Sequence, residues 1–519
     1  KKVFLVLGIL VMLAANAQMP GNNLPRFIRW VDSDQILVST RLNKETTPKE
    51  YLYNTVSKQY SAAPAATSTP AEKSVVVKNA NIFLKENGAE VQLTFDADEE
   101  KNPTLSPDGN YVGYTKNNNL YTLSLADKKE YAITSEKTKG ILNGYASWVY
   151  FEEIFGRPTQ YRAFWWSPDS KYISFMRFDE RKVPMFPIYN SEGQHGFVEE
   201  TRYPKAGDQN PTVKIGWTTP DGGSITWADF NEMEDQYFGW PIWNPNNNAM
   251  WLSWMDRGQN NLKIYELNMT TGAKKPVYTE YQKTWIDLED RNGGRINFIP
   301  NNKGYIAQAD VSGWNHLYMY DMEGKLQYPI TNGKFTVLGI RQIDEKNKTI
   351  YFTARGLENT ARVDLYAVYF NGTSLARLTT GDYNNSQVYL SPDAKKIITV
   401  YSNVNTPTTM GVIHRKDKTK TIQVIATAVD SSYKAENFAK TELIRIKSAD
   451  GLYELPALVT WPKNMDPTKK YPMLVSIYGG PSAGTVMDNW SNPAYKEPLA
   501  KEGLIQVAFD HRASGHFGK

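Results

Sequence analysis

Between residues 18 and 439 the apolar positions come in short runs rich in Tyr, Trp, Val and Ile, each set off by a turn cluster. Ser106-Pro107-Asp108-Gly109 precedes the runs at 111–114 and 120–123, and Ser167-Pro168-Asp169-Ser170 precedes the run at 172–176. Asn244-Pro245-Asn246 stands before 250–254, Pro300-Asn301-Asn302 before 305–307 and 317–320, and Ser391-Pro392-Asp393 before 397–401. Proline pre-sets φ at such a turn, and Asp, Asn or Gly closes it, so each unit predicts strand, turn, strand. Long amphipathic helical periodicity is scarce in this stretch. One unit recurring over about 400 residues predicts an all-β propeller of seven or eight four-stranded blades carrying insertions. A sandwich of unrelated hairpins is the competing arrangement, and the recurrence favours the propeller. The Ala/Pro/Ser/Thr stretch at 61–71 is low in complexity and predicts a flexible loop.

After about Ala439 the pattern changes. Apolar strands are expected at 443–446, 455–460, 473–478 and 504–509, with a helix between Asn492 and Gly503 ended by that glycine. Continuous apolar strands with a helical crossover predict the start of a mostly parallel α/β sheet covered on both faces. The domain reading is therefore 1–17 leader, 18–439 propeller and 440–519 the first part of an α/β domain.

The leader rests on Lys1 and Lys2, the apolar run 3–15, and Ala15-Asn16-Ala17, a small-x-small cleavage pattern that leaves Gln18 as the mature start. Thirteen apolar residues fall short of the ~20 needed to span a bilayer, so the expectation is export to the periplasm or beyond, without a membrane span. Composition narrows the chemistry. A net charge of +4 over 519 residues, without a Lys/Arg block, gives no footing for nucleic acid. With no cysteine and five histidines, thiolate nucleophiles, disulfides and Cys/His zinc sites drop out. No cofactor and no metal ligand is assigned, and hydroxyl or carboxylate chemistry remains.

Three segments carry a family resemblance. Residues 471–481, ending Ile477-Tyr478-Gly479-Gly480-Pro481, resemble the strand and oxyanion loop that open the hydrolase domain in the prolyl oligopeptidase superfamily. Residues 510–515, Asp510-His511-Arg512-Ala513-Ser514-Gly515, are similar to that superfamily's Asp-x-Arg-Gly-Ser-Gly segment, with His511 and Ala513 as departures. Trp148-Val149-Tyr150-Phe151-Glu152-Glu153, leading to Trp165-Trp166-Ser167-Pro168-Asp169, resembles the propeller motif of the dipeptidyl peptidase IV branch. Residues 177–184, 203–207 and 210–213 support that branch. Phe151 departs from the acidic residue often first in the run, and residues 156–160 make a longer link to the tryptophan pair.

The resemblance implies an α/β-hydrolase domain after the propeller and a serine exopeptidase that releases N-terminal dipeptides after Pro or Ala through an acyl-enzyme. Glu152 and Glu153 would take the substrate's α-ammonium by charge-assisted hydrogen bonds; in isolation an acidic pair is a solvated surface. Tyr478 would donate to the oxyanion; in isolation it is a packed strand-end tyrosine. The family order places nucleophile, acid and histidine beyond Lys519, so the fragment itself is expected to be inactive. Ser482 completes the one G-x-S-x-G of the chain, but no helix start follows it, and it is declined as nucleophile. Asp510 is expected to anchor a loop and Arg512 to pair with a carboxylate. The arginine that relatives use upstream of the glutamates for a substrate carbonyl finds no counterpart here. Oligopeptides are the expected partners, and a homodimer is allowed. The rival readings are an exported, non-catalytic peptide-binding propeller and a tripeptidyl- or acylaminoacyl-releasing relative.

Overall fold

The serine of each Ser-Pro-Asp turn does the work of joining two strands. In the computed structural model, which describes residues 24–42, 45–63, 73–287, 295–417 and 421–519, the Ser106 hydroxyl donates to Asp108 at 2.6 Å and accepts the Tyr111 amide at 2.9 Å. Ser167 repeats this with Asp169 at 2.8 Å and Tyr172 at 3.0 Å, and Ser391 with Asp393 at 2.8 Å and Lys396 at 3.0 Å. All three serines are buried. Ser167→Ala removes the acceptor for the Tyr172 amide, and the expected cost is about 1–2 kcal/mol. Thermal unfolding should register this as a fall in Tm, and an unchanged midpoint would reduce the clamp to ornament.

Eight successive sheets follow along the described residues. The first runs Arg26–Trp30, Gln35–Thr40, Lys49–Asn54, Gln59–Ala62, each strand bonded to the next in sequence. The second has three strands, Ser74–Lys78, Asn81–Glu86 and Ala89–Gln92; the third runs from Glu100–Leu105 to Glu130–Ala132. The fifth spans Gln236–Trp243 to Lys274–Tyr281, the sixth Ile296–Phe298 to Leu326–Pro329, the seventh Thr336–Asp344 to Ala376–Arg377, the eighth Asn384–Leu390 to Ile422–Thr427. Strand order follows chain order in each, the pattern of propeller blades.

The fourth sheet departs from the pattern. Ile141–Asn143 and Phe164–Trp166 both pair with Ile173–Asp179, the first through Asn143↔Arg177 and the second through Phe164↔Phe175. A single edge strand is thus interrupted by residues 144–163 and then resumed. A separate hairpin, Met185–Asn190 with Phe197–Arg202, leaves the same sheet farther on.

Contacts gather the chain into two compact units. One comprises the described residues of Lys1–Ala65, Arg355–Tyr366 and Arg377–Phe517; the other holds Ala66–Ala354, Ala367–Ala376 and Gly518–Lys519. In the first unit Ile36, Val38 and Tyr53 of sheet one pack with Ile398, Met410 and Val412 of sheet eight. Phe27 stacks on Tyr389 at 4.0 Å, and the Lys396 ammonium bonds Asp34 and the Thr55 hydroxyl. The earliest and last blades of the sequence are therefore neighbours, as closure of a blade ring requires. The second unit is built on a large aromatic core that includes Tyr150, Phe178, Trp217, Phe238, Trp251 and Tyr305.

The first unit also contains a sheet ordered Thr441–Lys447, Glu454–Thr460, Ile505–Phe509, Met473–Ser476. Only Met473–Ser476 and Ile505–Phe509 pair in parallel; the other two pairings are antiparallel. This corrects the expectation of a mostly parallel, doubly covered sheet. Thr441–Lys447 and Glu454–Thr460 are joined by a tight turn at Asp450 and Gly451, which forces a hairpin. Met473–Ser476, moreover, is exposed along its whole length. The expected helix is present as the turn Pro493–Tyr495 and the helix Glu497–Lys501, with Gly503 beyond it at φ +79°. Among the described residues no helix is long and apolar enough to cross a membrane. The leader at 1–17 lies outside the described residues, as does most of the 61–71 stretch.

Candidate functional site

The interruption of the fourth sheet carries the acidic pair. Residues Tyr150–Phe155 form a single wide π-type turn, a geometry concentrated at functional sites. Tyr150, Ile154 and Phe155 face inward, and Glu152 and Glu153 fall on the remaining side. The inward face is held by rings. Tyr150 packs on Phe178 at 4.7 Å and on Phe155 at 5.4 Å, and its hydroxyl accepts the Phe238 amide at 3.1 Å. Phe155 contacts Trp165 at 5.5 Å and Trp240 at 5.9 Å. Phe151, the departure from an acidic residue, stacks on Tyr161 at 3.8 Å, and Tyr161 stacks in turn on Tyr145. Aromatic packing of this kind fixes a short irregular segment that propensity alone would leave loose.

The longer link at 156–160 has a consequence that sequence reasoning missed. Gly156 adopts φ +81°, which an L side chain rarely tolerates, and turns the chain into the short helix Arg157–Thr159. Arg157 then reaches back to Glu152, its Nε 2.7 Å from Oε2 and its Nη2 2.6 Å from Oε1. Glu152 keeps 23% of its side chain exposed and Arg157 72%. This is the bidentate fork by which guanidinium grips carboxylate. Glu153 is exposed and makes no hydrogen bond or ion pair among the described residues. The signal available in the sequence was an arginine five positions after Glu152, inside the extra residues.

Tyr478 belongs to the other unit. It follows Met473–Ser476, itself exposed, and its side chain is 70% exposed. Gly479 sits at φ +80°, and a Cβ on Gly480 would strike the Tyr478 ring, so both glycines are needed for the ring's position.

Ser482 is not a nucleophile in this geometry. Its φ of +54° is that of a sharp turn, but no helix follows; its amide is spent on the Ala513 carbonyl at 2.8 Å. His516, in the segment that accepts this amide, is committed elsewhere. His516 is fully buried, with Nε2 2.7 Å from Asp510 Oδ2 and Nδ1 2.8 Å from the Thr360 carbonyl, so both ring nitrogens are committed. Asp510 also accepts the Thr485 and Val486 amides at 3.0 and 2.7 Å. It is a loop anchor, as expected, and Arg512 pairs with Asp450 at 2.8 Å.

Comparison with known proteins agrees with this architecture. The profile of the dipeptidyl peptidase IV (DPP IV) N-terminal region matches residues 98–408. Among curated relatives, a dipeptidyl peptidase 4 of Arthroderma otae is 30% identical over 436 residues, covering 80% of this chain and 54% of that protein. A dipeptidyl peptidase 4 of Trichophyton rubrum is 29% identical over the same length, with the same coverage. The chain thus spans about half the length of the curated relatives it matches. Among solved structures, dipeptidyl peptidase 4 of Porphyromonas gingivalis superposes with a TM-score of 0.75 at 22% identity, covering 95% of this chain and 72% of that one. A putative dipeptidyl aminopeptidase IV of Bacteroides ovatus gives a TM-score of 0.70 at 23% identity, with 96% and 74% covered. The fold is that of a β-propeller, and its eight sheets fall within the expected seven or eight.

Proposed function

This chain belongs to the dipeptidyl peptidase IV family, and from that membership we propose that it supplies the substrate-recognition part of an exported serine exopeptidase. The enzyme would release dipeptides from the amino end of oligopeptides, cutting after Pro or Ala. One observation supports the reading above the others. Two adjacent carboxylates project from a ring-clamped turn, and one of them already holds a cationic nitrogen group. A substrate's α-ammonium is the same kind of ligand, and it would bind to Glu153 and share or displace the Arg157 contact at Glu152. Fixing the amino end at these residues sets how many residues reach the scissile bond, which makes the acidic pair a ruler. Tyr478 would then donate to the oxyanion as the carbonyl becomes tetrahedral. The nucleophile, acid and catalytic histidine are assigned to the part of the relatives' length outside this chain.

The experiment uses the full-length enzyme and two anilides of Gly-Pro, one with a free amino end and one N-acetylated. The free form is expected to be cleaved at least a hundredfold faster in kcat/KM, with labelling by a fluorophosphonate blocking both. Equal cleavage of the acetylated form would overturn the ammonium assignment and favour an acylaminoacyl-releasing relative. No cleavage of either form, with no labelling, would favour the non-catalytic binder.

A further inference from the structure

The third sheet of the propeller gathers a second set of carboxylates, remote in sequence from Glu152 and unused by the proposed reaction. Asp96, Glu100 and Glu130 each place a carboxylate oxygen within 4.8 Å of the other two. Glu100 is 1% exposed. Its Oε2 accepts from the Thr94 hydroxyl and from the Ile82 amide at 3.2 Å, but its Oε1 is buried without a partner. A buried carboxylate oxygen left unpaired is costly, and in a native protein it points to a missing cation or proton.

One cation is already present. The Lys116 ammonium, on a side chain 7% exposed, bonds Asp96 and lies 3.3 Å from Glu130. It does not bond Glu100. Three carboxylates against one ammonium leave negative charge in excess, and Glu100 Oε1 is the oxygen left without a partner. Oxygens sharing a calcium ion at 2.3–2.6 Å lie at most about 4.6–5.2 Å apart, whereas magnesium at 2.0–2.1 Å requires about 4.2 Å or less. Separations of no more than 4.8 Å lie within the calcium range.

We propose that Asp96, Glu100 and Glu130 form a binding site for a divalent cation of calcium type, in which the Lys116 ammonium is an exchangeable place-holder. The cation takes one oxygen from each carboxylate, including the unpaired Oε1 of Glu100. Lys116 withdraws toward the Tyr121 ring, from whose centre its nitrogen is 4.7 Å distant, and keeps a cation–π contact there. Asp98 stands two residues from Asp96 and already accepts from Asn117 at 2.7 Å, so it contributes to the local field without ligating. Cys and His spacing is the usual sequence signal of a metal site, and an all-oxygen site has neither.

The site comes with its own reporters. The Tyr114 hydroxyl bonds Glu130, and the Tyr121 ring lies under Lys116, so terbium(III) bound here should be sensitised through tyrosine. The experiment titrates the 519-residue chain with terbium chloride under tyrosine excitation, then competes with calcium and magnesium chlorides. The expected result is saturable emission, displaced by calcium at concentrations at least tenfold below those needed for magnesium. Glu100→Gln should weaken binding at least tenfold with circular dichroism unchanged, and Lys116→Met should bind at least as tightly as the parent. If Glu100→Gln does not fold, Asp96→Asn, at a half-buried position, takes its place with the same expected loss. Absence of saturable emission, or emission indifferent to these substitutions, overturns the proposal and leaves Glu100 as a buried, protonated acid.

Discussion

Replacing both Glu152 and Glu153 by glutamine in the full-length enzyme is expected to lower kcat/KM for a free dipeptidyl substrate by about a thousandfold. Each charge-assisted hydrogen bond to the α-ammonium is worth roughly 1.5–3 kcal/mol, so two together supply about 4 kcal/mol. The single variants should be unequal. Glu152 already shares its charge with Arg157, whereas Glu153 has no such partner, so Glu153→Gln should cost more than Glu152→Gln. The same geometry sets an opposite expectation for the arginine. Arg157→Gln removes a competitor for Glu152 and should lower KM severalfold with kcat little changed. Steady-state kinetics on one anilide substrate tests all four variants, and a double variant with unaltered kcat/KM would remove the pair from recognition altogether.

The second large effect concerns stability and pH. Glu180 lies at the end of Ile173–Asp179, the strand from which the acidic segment is hung. Desolvation pushes its carboxyl up to about 7, and Arg202, 3.9 Å away, offsets this only in part. The folded protein therefore holds a proton that the unfolded chain, near the ordinary value of 4.5, has released. A raised acid costs nothing below the unfolded value and its full amount above the folded one, so stability falls as pH rises from about 4.5 to about 7. Glu180→Gln removes that slope. The variant should match the parent near pH 4.5 and exceed it at pH 8 by about 2 kcal/mol, allowing for partial exposure. Urea unfolding of both proteins across this range checks it, and a difference that does not grow with pH would refute the burial argument.

Local rules carried most of what the sequence revealed. Ser106, Ser167 and Ser391 clamp their turns through contacts at two and five residues' distance, and such contacts can be read along a chain. Glu152 and Glu153 could be proposed for the same reason, since their motif is contiguous. Asp510 was expected to anchor a loop and Arg512 to pair with a carboxylate, and both make those contacts. Long-range pairing was not legible. Whether Ile505–Phe509 lies beside Glu454–Thr460 or at an edge depends on which strands reach it, and no local pattern states that. The Arg157 fork was hidden differently: it requires the backbone reversal at Gly156, and a glycine before Arg-Pro does not announce its φ. The Asp96, Glu100 and Glu130 grouping joins a loop residue to positions on two strands of the third sheet, so it too emerges only in three dimensions.

The broken edge strand of the fourth sheet separates two tasks that a continuous strand would tie together. Asn143 and Phe164 bond to the same neighbouring strand in compatible register, so the sheet is complete whatever length of chain bridges them. Both anchors are satisfied by Ile173–Asp179, while Tyr150, Ile154 and Phe155 tie the intervening chain into the aromatic core. Length can therefore vary in the solvent-facing stretch at 157–160 without disturbing either anchor. The extra residues that bring Arg157 to Glu152 are one such variation.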